Sequence, residues 1–262
     1  MPELPDVETR RRYIDATALH QKIKSAVVNA PRMLKGISAK DLISALKSHA
    51  FSETGRHGKF LFVRFDDKAW LVLHFGMSGT LAYTKDESAV PEGARLRIDF
   101  ANGYHLAGIW QRRLGRIGLT VDPATFVKQE GLGPDAMTPG IDLSTFKRML
   151  GGRRGSVKPA LMDQKFIAGI GNIYSDEMLF QAGLDPRHAA DGLDDDQLAD
   201  LHRAMRHVLR IAIERQADPG RMPHSWLLPQ RRKGGVCPRC GTPLRQIKVS
   251  GRTAHLCPQC QR

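Results

Sequence analysis

The chain has 262 residues, in which 40 lysines and arginines stand against 27 aspartates and glutamates, a formal net charge of +13 at pH 7. This length allows one large domain or two of ordinary size, and so large an excess of positive charge favours a polyanionic partner such as nucleic acid or an anionic membrane surface. No apolar run approaches the ~18 residues of a membrane span, and the charged N-terminus lacks an apolar signal core. The sequence therefore argues against an integral membrane protein, and we expect a cytoplasmic location, or a nuclear or organellar one in a eukaryote.

The first residues, MPELPDVETR, place a proline at position 2 and a glutamate at position 3. Removal of the initiator Met before a small residue would leave Pro2 with a free secondary amine beside the Glu3 carboxylate. Such a pair is either reactive or an accident of translation, and this stretch alone favours the accident. A helix follows from Pro5, because proline suits a first helical turn and Val7 and Ile14 share one face.

Residues 50–120 have the pattern of β-structure. FLFVRF and WLVLHF are joined by the polar turn DDK, and LRIDF and YHLAG are joined by ANG, a hairpin-turn signal. These segments predict a β-rich first domain, a β-sandwich, that ends in the Gly- and Pro-rich stretch 131–139.

From residue 142 the pattern becomes helical. Four segments are candidate helices: DLSTFKRML, VKPALMDQKFIAG, NIYSDEMLFQAG and DDDQLADLHRAMRHVLRIAIERQ. In the last, the apolar stripe that includes Leu201 and Met205 indicates core packing rather than a binding face. Residues 215–235 are rich in Pro, Gly and Arg, which predicts a loop or linker.

All four cysteines lie in the last 26 residues: Cys237, Cys240, Cys257 and Cys260. They form two C-x-x-C pairs separated by sixteen residues, a spacing that can wrap one tetrahedral Zn²⁺ with four thiolates. Two disulfides are the alternative, which a reducing compartment disfavours. We expect a zinc ribbon with one structural Zn²⁺.

Two segments could contact phosphate. The glycines of GIGN at 169–172 separate two helical patterns and would let backbone N–H groups approach a phosphate, with Asn172 as a further donor and Lys158 as a charge. A tight helical connection without a ligand explains the same glycines equally well. Lys59, in GRHGKFL, stands at the start of a strand and could also meet a phosphate, although a lone lysine there is more often solvated.

Two Gly-rich turns carry side chains that suit contact with a DNA duplex. Met77 in HFGMSG is an apolar side chain that could wedge between bases. In IWQRRLGRIG, Arg112, Arg113 and Arg116 surround Leu114, although a basic surface turn has the same composition. In KVSGRTAHLC, Arg252 follows the expected hairpin tip of the ribbon, where it could reach a phosphate.

Five segments in this order, MPELPDVET, GRHGKFL, HFGMSG, DQKFIAGIGNIYSDE and CPRC…GRTAHLCPQCQR, resemble the formamidopyrimidine-DNA glycosylase/endonuclease VIII family. The resemblance spans nearly the whole chain. It implies an α+β multidomain protein with three domains: a β-sandwich with an N-terminal helix over 1–132, a helical helix–two-turn–helix domain over 133–233, and a zinc-ribbon β-hairpin over 234–262.

The resemblance also implies roles for individual residues. Pro2 would be the nucleophile that attacks C1′ of the damaged nucleotide, since a chain-end amine with a reference pKa of about 8 is partly neutral at pH 7. Glu3 would be the general acid/base that helps to open the sugar ring. Lys59, Asn172 and Arg252 would contact phosphates around the extruded nucleotide.

The family fills the gap left by the extruded nucleotide with three side chains, and Met77 and Arg112 match two of them. The third is usually aromatic, in a pattern resembling Asp-Pro-Arg-Arg-Phe-Gly, whereas this chain has Leu114 in Trp-Gln-Arg-Arg-Leu-Gly. The long Gly/Thr-rich loop of the 8-oxoguanine-removing branch does not map onto residues 215–235, and Asp6 replaces a more usual Glu. These departures concern the identity of the damaged base and not the type of reaction.

We therefore expect a monomeric glycosylase and abasic-site (AP) lyase that acts on damaged double-stranded DNA without a small-molecule cofactor or a membrane. Excision of an oxidised base of the 8-oxoguanine or formamidopyrimidine type is the first hypothesis. The alternatives are a lyase for abasic sites, hydantoins or oxidised pyrimidines, and a non-catalytic DNA-damage-binding protein. The sequence leaves open the opposite-base preference and the choice between β- and β,δ-elimination.

Overall fold

The structure is a computed structural model that describes residues 1–112 and 114–262; Arg113, one of the basic residues of the second Gly-rich turn, lies outside them. The chain forms two compact units. The first comprises Met1–Pro2 and Asp6–Gly131, and the second comprises Glu3–Pro5 and Leu132–Arg262. The predicted α+β fold is confirmed, and none of the described helices is long and apolar enough to cross a membrane.

The first unit contains two β-sheets that share one apolar core. A four-stranded antiparallel sheet has the order β1-β7-β8-β6, and a five-stranded sheet has the order β2-β9-β5-β4-β3. The strands are β1 (Ile23–Val28), β2 (Leu34–Lys35), β3 (Glu53–His57), β4 (Phe60–Asp66), β5 (Ala69–His74), β6 (Thr80–Thr84), β7 (Ala94–Phe100), β8 (His105–Ile109) and β9 (Arg116–Thr120). Side chains of both sheets lie in that core, which makes the unit a β-sandwich.

Three helices accompany the two sheets: α1 (Leu4–Thr17), α2 (Ala39–Leu46) and α3 (Pro123–Gln129). The face of α1 predicted from its periodicity, which carries Val7 and Ile14, is fully buried in the core of the sandwich. The strands predicted from FLFVRF, WLVLHF, LRIDF and YHLAG are β4, β5, β7 and β8, and each predicted turn joins an antiparallel pair. Alternation and turn chemistry therefore account for four of the nine strands in the described part of this unit.

The second unit is helical and contains α4 (Leu143–Gly151), α5 (Val157–Met162), α6 (Asn172–Ala182) and α7 (Asp195–Glu214). The apolar stripe of α7 is buried in its core, as predicted. The helix predicted for VKPALMDQKFIAG is wrong beyond Met162. The side chain of Gln164 donates to the carbonyls of Met162 and Ile170 and accepts the N–H of Gly169, which folds residues 163–171 into turns.

Residues 215–235 do not form an extended loop. A short 3₁₀ turn, Leu228–Gln230, lies in this segment, and Met222, Trp226 and Leu227 are buried against the helices. The chain then enters a hairpin of β10 (Arg245–Val249) and β11 (Arg252–Leu256), joined by Ser250 and Gly251. Both turn residues have positive φ, 46° and 78°, the conformation of a two-residue hairpin turn.

Candidate functional site

The carboxylate of Glu3 lies at the N-terminus of α6. Its two oxygens accept the backbone N–H groups of Gly171 and Ile173, both at 2.8 Å, and of Tyr174 at 3.2 Å. These N–H groups have no partner within their own helix, and the positive end of the helix dipole stabilises a negative charge at this position. The Glu3 side chain is 1% exposed, so its position is fixed by backbone geometry.

Two glycines make room for this arrangement. A Cβ on Gly171 would lie 2.3 Å from Cδ of Glu3, and a Cβ on Gly169 would lie 2.5 Å from Cδ1 of Leu4. Gly169 also has a φ of +113° and accepts the N–H of Leu4 at 3.0 Å. Both glycines of GIGN therefore accommodate the N-terminal segment.

This geometry bears on the two interpretations that the sequence leaves open for these glycines, an approach of backbone N–H groups to a phosphate and a tight helical connection without a ligand. The anion that the N–H groups of Gly171, Ile173 and Tyr174 bind is the carboxylate of Glu3. Asn172, the first residue of α6, is half-buried. Its Oδ1 is buried and has no hydrogen-bond partner among residues 1–112 and 114–262. The phosphate contact of its side chain stays a prediction.

Lys158 is buried rather than presented to solvent. Its side chain is 1% exposed, its ammonium forms an ion pair with Asp176, and it donates to the carbonyl of Asn172 at 3.3 Å. Burial lowers the pKa of Lys158, an effect opposed by the Asp176 charge. Direct contact with a phosphate would require the ammonium to leave this buried pair, so the structure speaks against the charge-donor role expected for Lys158.

Pro2 precedes Glu3 directly and is buried, whereas Met1 is 43% exposed. In a chain that retains Met1 the nitrogen of Pro2 is an amide without nucleophilic character. The proposed amine therefore depends on removal of an exposed N-terminal residue.

Lys59 lies in the tight connection between β3 and β4 and is 8% exposed. The turn is fixed from α1: Glu8 pairs with Arg56 at 3.2 Å, and Arg56 donates to the carbonyl of Gly58 at 3.2 Å. The backbone just before Lys59 is thus held by a partly buried ion pair.

His74, at the end of β5, was not identified from the sequence. It lies opposite Phe60 in the β4–β5 ladder, one residue from Lys59. Burial, and after it the charges of Lys59 and Arg116, lower the pKa of His74 to about 4. A neutral His74 accepts the N–H of Gly76 at Nδ1 (3.3 Å), which leaves the proton on Nε2. His74 is far from Lys59 in sequence, and only the pairing of β4 with β5 brings the two residues close together.

The structure brings Met77, Arg112 and Leu114 into one surface. Nη1 of Arg112 is 4.0 Å from the sulfur of Met77, and a Cβ on Gly76 would lie 2.4 Å from the carbonyl oxygen of Leu114. Met77 and Leu114 are 45% and 56% exposed, high values for apolar side chains. Two loops therefore present two apolar side chains and a guanidinium side by side.

Trp110 supports these loops from below. It is 1% exposed and stacks on Phe75 with ring centroids 6.0 Å apart. A Cβ on Gly79, Gly108 or Gly115 would come within 2.6 Å of its indole. Three glycines thus form a niche for the tryptophan, which explains why a large aromatic residue begins the loop that carries Arg112 and Leu114.

The four cysteines form a compact cluster in which all sulfurs lie within 4.8 Å of one another. Three of the sulfur–sulfur separations, Cys237–Cys260, Cys240–Cys257 and Cys240–Cys260, are 3.8, 3.5 and 3.4 Å. A tetrahedral Zn²⁺ with Zn–S bonds of about 2.3 Å holds its sulfurs about 3.8 Å apart, whereas a disulfide needs about 2.05 Å. The four thiols therefore fit one zinc ion and are not disulfide-bonded.

Arg252 is the first residue of β11 and is exposed directly after the hairpin turn. With Val249 and Ser250 it faces α5 across a cleft of about 190 Å³, lined on the other side by Lys158, Pro159, Met162 and Asp163. An exposed guanidinium at the rim of a cleft suits contact with a phosphate, and the contact stays a prediction.

Three family models match successive parts of the chain. The formamidopyrimidine-DNA glycosylase N-terminal domain matches residues 1–117, the formamidopyrimidine-DNA glycosylase H2TH domain matches 132–222, and the zinc finger found in FPG and IleRS matches 234–262. A formamidopyrimidine-DNA glycosylase of Moorella thermoacetica is 34% identical over 260 residues, with 95% of each chain covered.

Solved structures agree with these matches. A Lactococcus lactis formamidopyrimidine-DNA glycosylase non-covalently bound to DNA with an AP site is similar with a TM-score of 0.91, 30% identity and 99% of each chain covered. The same enzyme with FAPY-dG containing DNA gives 0.91 and 28% identity, with 99% of this chain and 100% of that chain covered. The β-sandwich, the helical unit and the four-cysteine ribbon are thus the parts of a DNA glycosylase fold. The chain belongs to the formamidopyrimidine-DNA glycosylase family.

Proposed function

We propose that the protein is a DNA repair enzyme, a glycosylase and AP lyase that excises an oxidised base from damaged duplex DNA and then cleaves the strand. Residues 1–132, 133–233 and 234–262 would be its catalytic, helix–two-turn–helix and zinc-finger domains. The observation that carries the proposal is the position of the Glu3 carboxylate: three backbone N–H groups fix it immediately after Pro2, and a glycine makes room for it. A protein that only binds DNA has no need for an acid held in this way beside a chain-end amine.

In the proposed reaction the amine of Pro2, freed by removal of Met1, attacks C1′ of the extruded nucleotide. The glycosidic bond breaks, and its electron pair leaves with the base. Glu3 exchanges the proton that accompanies opening of the sugar ring at O4′, and an iminium forms between Pro2 and C1′. Loss of a C2′ proton then breaks the C3′–O bond, which cuts the strand; a second elimination on the 5′ side is the β,δ variant.

Three side chains are proposed to hold the phosphates around the lesion: Lys59, Asn172 and Arg252. Lys59 lies on a turn fixed by the Glu8–Arg56 pair, which supports a set position for its charge. Asn172 and Arg252 offer an amide and a guanidinium from α6 and β11. For Lys158 we replace the direct phosphate contact by an indirect role, in which it holds the carbonyl of Asn172.

Met77, Arg112 and Leu114 are proposed to fill the gap that the extruded nucleotide leaves. Unstacking a base costs a few kcal/mol, and apolar wedges between base steps offset part of that cost. The exposure of Met77 and Leu114 supports this role, because an exposed apolar pair is costly unless it has a partner. Leu114 has less stacking surface than an aromatic residue.

The zinc ion held by the four cysteines would be structural, since four thiolates leave no open position for a reacting water. The ion would only hold the ribbon in one conformation, so that Arg252 lies at the end of a rigid hairpin. We propose action as a monomer, in the cytoplasm at the bacterial nucleoid, or in the nucleus or an organelle of a eukaryote.

A second candidate within the same fold is a lyase acting mainly on abasic sites, hydantoins or oxidised pyrimidines. The observation in its favour is the packing of residues 215–235, where Met222 and Trp226 are buried in the helical core. A segment anchored in this way differs from a long loop that could close over a purine. The damaged base is thus the variable that the first experiment must measure.

The test is borohydride trapping on duplexes that carry an abasic site, 8-oxoguanine, formamidopyrimidine, a hydantoin or thymine glycol. A covalent adduct on Pro2, located by mass spectrometry of the linked peptide, is expected, and the lesion with the fastest trapping names the substrate. Pro2→Gly is the matched variant: it should bind the duplexes with similar affinity and trap far more slowly. Protein of verified mass without Met1 that gives no adduct even at the abasic site would leave only the damage-binding alternative.

A further inference from the structure

A buried carboxylate on α6, that of Asp176, joins four separate segments of the second unit. Its side chain is 0% exposed. One oxygen pairs with Lys158 of α5, and the other accepts two N–H bonds from Arg231, at 2.8 and 3.1 Å. The same oxygen accepts the backbone N–H of His255 in β11 at 3.1 Å. A single carboxylate therefore ties α5, α6, the segment before the ribbon and the ribbon itself together.

Arg231 contributes a second contact, one turn earlier on α6. Its Nη2 lies 3.4 Å from the carbonyl oxygen of Asn172, which also accepts the ammonium of Lys158 at 3.3 Å. Two cations thus converge on the main chain of the first residue of α6. That residue carries one proposed phosphate donor, and its neighbours hold the Glu3 carboxylate.

Two cations and two buried carboxylates lie close together at the start of α6. Lys158 and Arg231 are two positive side chains that are 1% and 13% exposed, and Asp176 and Glu3 are two buried negative ones. A buried charge is tolerated when it is paired and hydrogen-bonded. Lys158 alone would balance only one of the two carboxylates, so the second cation has a physical reason to be present.

The segment that carries Arg231 is itself fixed. Glu177, the neighbour of Asp176 on α6, accepts the N–H groups of Leu227 at 3.3 Å and Leu228 at 2.8 Å. The backbone before Arg231 is therefore held by Glu177, and the guanidinium at the other end of the side chain is held by Asp176.

We propose that Arg231 is a positioning residue for phosphate binding: by bridging Asp176 and the carbonyl of Asn172, it holds the start of α6 in register with the ribbon strand that carries Arg252. It acts through Asn172 and does not contact DNA. This inference rests on the proposed function, since it assigns the grip on DNA to the side chains of Asn172 and Arg252.

The test compares Arg231→Gln with Arg232→Gln. Arg232 is the exposed neighbour, so its substitution removes the same charge without touching Asp176. Binding is measured to a duplex with a tetrahydrofuran abasic-site analogue, and trapping is measured at saturating abasic duplex. We expect Arg231→Gln to weaken binding about tenfold, the size of a lost charge-assisted hydrogen bond, and Arg232→Gln less than about threefold.

The trapping rate of Arg231→Gln at saturation should stay within about threefold of the wild type, because Pro2 and the N–H donors of Glu3 are unchanged. Asn172→Ala and the double variant complete a cycle. If Arg231 acts through Asn172, the double variant binds no more weakly than Asn172→Ala alone. Zinc content, measured on every variant, should stay at one ion per chain.

Three outcomes would each overturn the proposal. The double variant could bind more weakly than Asn172→Ala by the full factor that Arg231→Gln loses alone, or Arg231→Gln and Arg232→Gln could bind with equal affinity. The third is that Arg231→Gln loses as much in saturated trapping rate as in affinity. Loss of zinc from Arg231→Gln would also overturn the proposal, because the weaker binding would then come from a disrupted ribbon. Should Arg231→Gln fail to fold, Arg231→Lys is compared with Arg232→Lys: both keep the charge, and only the first removes the two guanidinium N–H groups that donate to Asp176. Trapping by the wild type tests the proposed function separately, so failure of either is recognised.

Discussion

At the scale of single residues, the candidate site depends on its glycines as much as on its acidic side chain. Glu3 can lie against the start of α6 because Gly171 has no Cβ, and Leu4 can lie beside it because of Gly169. Any larger residue at 171 would occupy the space of the carboxylate itself. The proposed acid, Glu3, and the glycine 168 residues away therefore form one structural element of the candidate site.

We predict that Gly171→Ala will displace Glu3 and slow borohydride trapping at saturating abasic duplex by about 10²-fold or more, the usual contribution of a general acid/base. Gly140→Ala is the matched control, since nothing lies within 4 Å of a Cβ at that position. Its trapping rate should equal that of the wild type. Single-turnover gel assays on both variants decide the matter, and a Gly171→Ala rate equal to the control would contradict the role of Glu3.

At the scale of elements, two loops of the first unit carry the proposed wedge. Trp110 fills a niche of three glycines beneath them, so the loops rest on a rigid support and not on each other alone. Exposed Met77 and Leu114 are therefore held at the surface by the packing below. The wedge role proposed for them requires a duplex, because a single strand has no gap to fill.

We predict that Leu114→Ala will slow excision from a duplex several-fold while leaving trapping on a single-stranded abasic oligonucleotide unchanged, because only the duplex requires unstacking. Val121→Ala is the control: Val121 is 67% exposed in the same unit and lies outside both loops. Paired rate measurements on the two substrates give the comparison. An equal loss on single strand and duplex would show that Leu114 has no wedge function.

The ribbon hairpin is the second element with a role of its own. Two short strands with a two-residue turn are at best marginally stable in water alone, so the four cysteines must supply the rest through their metal. Leu227 and Phe180 pack against Cys237 and Cys257, which joins the cluster to the helical unit.

We predict that Cys257→Ser will lose zinc and weaken binding to the abasic-analogue duplex, because the hairpin that carries Arg252 loses its fixed conformation. Metal analysis and a binding titration on the same sample test this. The wild type stripped with a chelator should behave in the same way and recover when Zn²⁺ is returned. Unchanged affinity in verified metal-free protein would separate the ribbon from DNA binding.

At the scale of the whole molecule, the sequence indicated the elements better than the connections between them. Alternation identified β4, β5, β7 and β8, and the cysteine spacing identified the ribbon, because both signals are local or nearly so. Lys158 was misjudged because its burial depends on Asp176, 18 residues away, which also pairs with Arg231, 55 residues further on. A residue's solvent exposure is set by tertiary packing, and no periodicity in one segment reports it.

The anion at the start of α6 shows the same limit. A helix N-terminus behind two glycines indicates an anion site from sequence, and an anion is bound there. Whether it is a phosphate or a side chain of the same protein depends on chain contacts over more than 160 residues. The sequence pattern thus indicates an anion site, and the fold determines which anion is bound there.

The chain divides into two compact units with separate cores. Glu177 belongs to the second. Burial raises the pKa of Glu177 from its ordinary 4.5 to about 7, against the N–H donors of Gln181, Leu228 and Leu227, which favour the carboxylate. Between these two values the folded state holds a proton that the unfolded state has released.

We predict that the raised pKa of Glu177 contributes up to about 3 kcal/mol to the free energy of unfolding of the second unit. This contribution is complete below pH 4.5 and is lost as the pH rises through about 7. In Glu177→Gln position 177 has no titrating group, so its unfolding transition should change less between pH 5 and pH 8 than that of the wild type. Asp196→Asn, which removes an exposed acid from α7, should keep the wild-type difference. Denaturant titrations at both pH values give the free energies of unfolding. A wild type and a Glu177→Gln variant that lose the same stability would mean that Glu177 is already ionised at pH 5, as its N–H donors alone would favour.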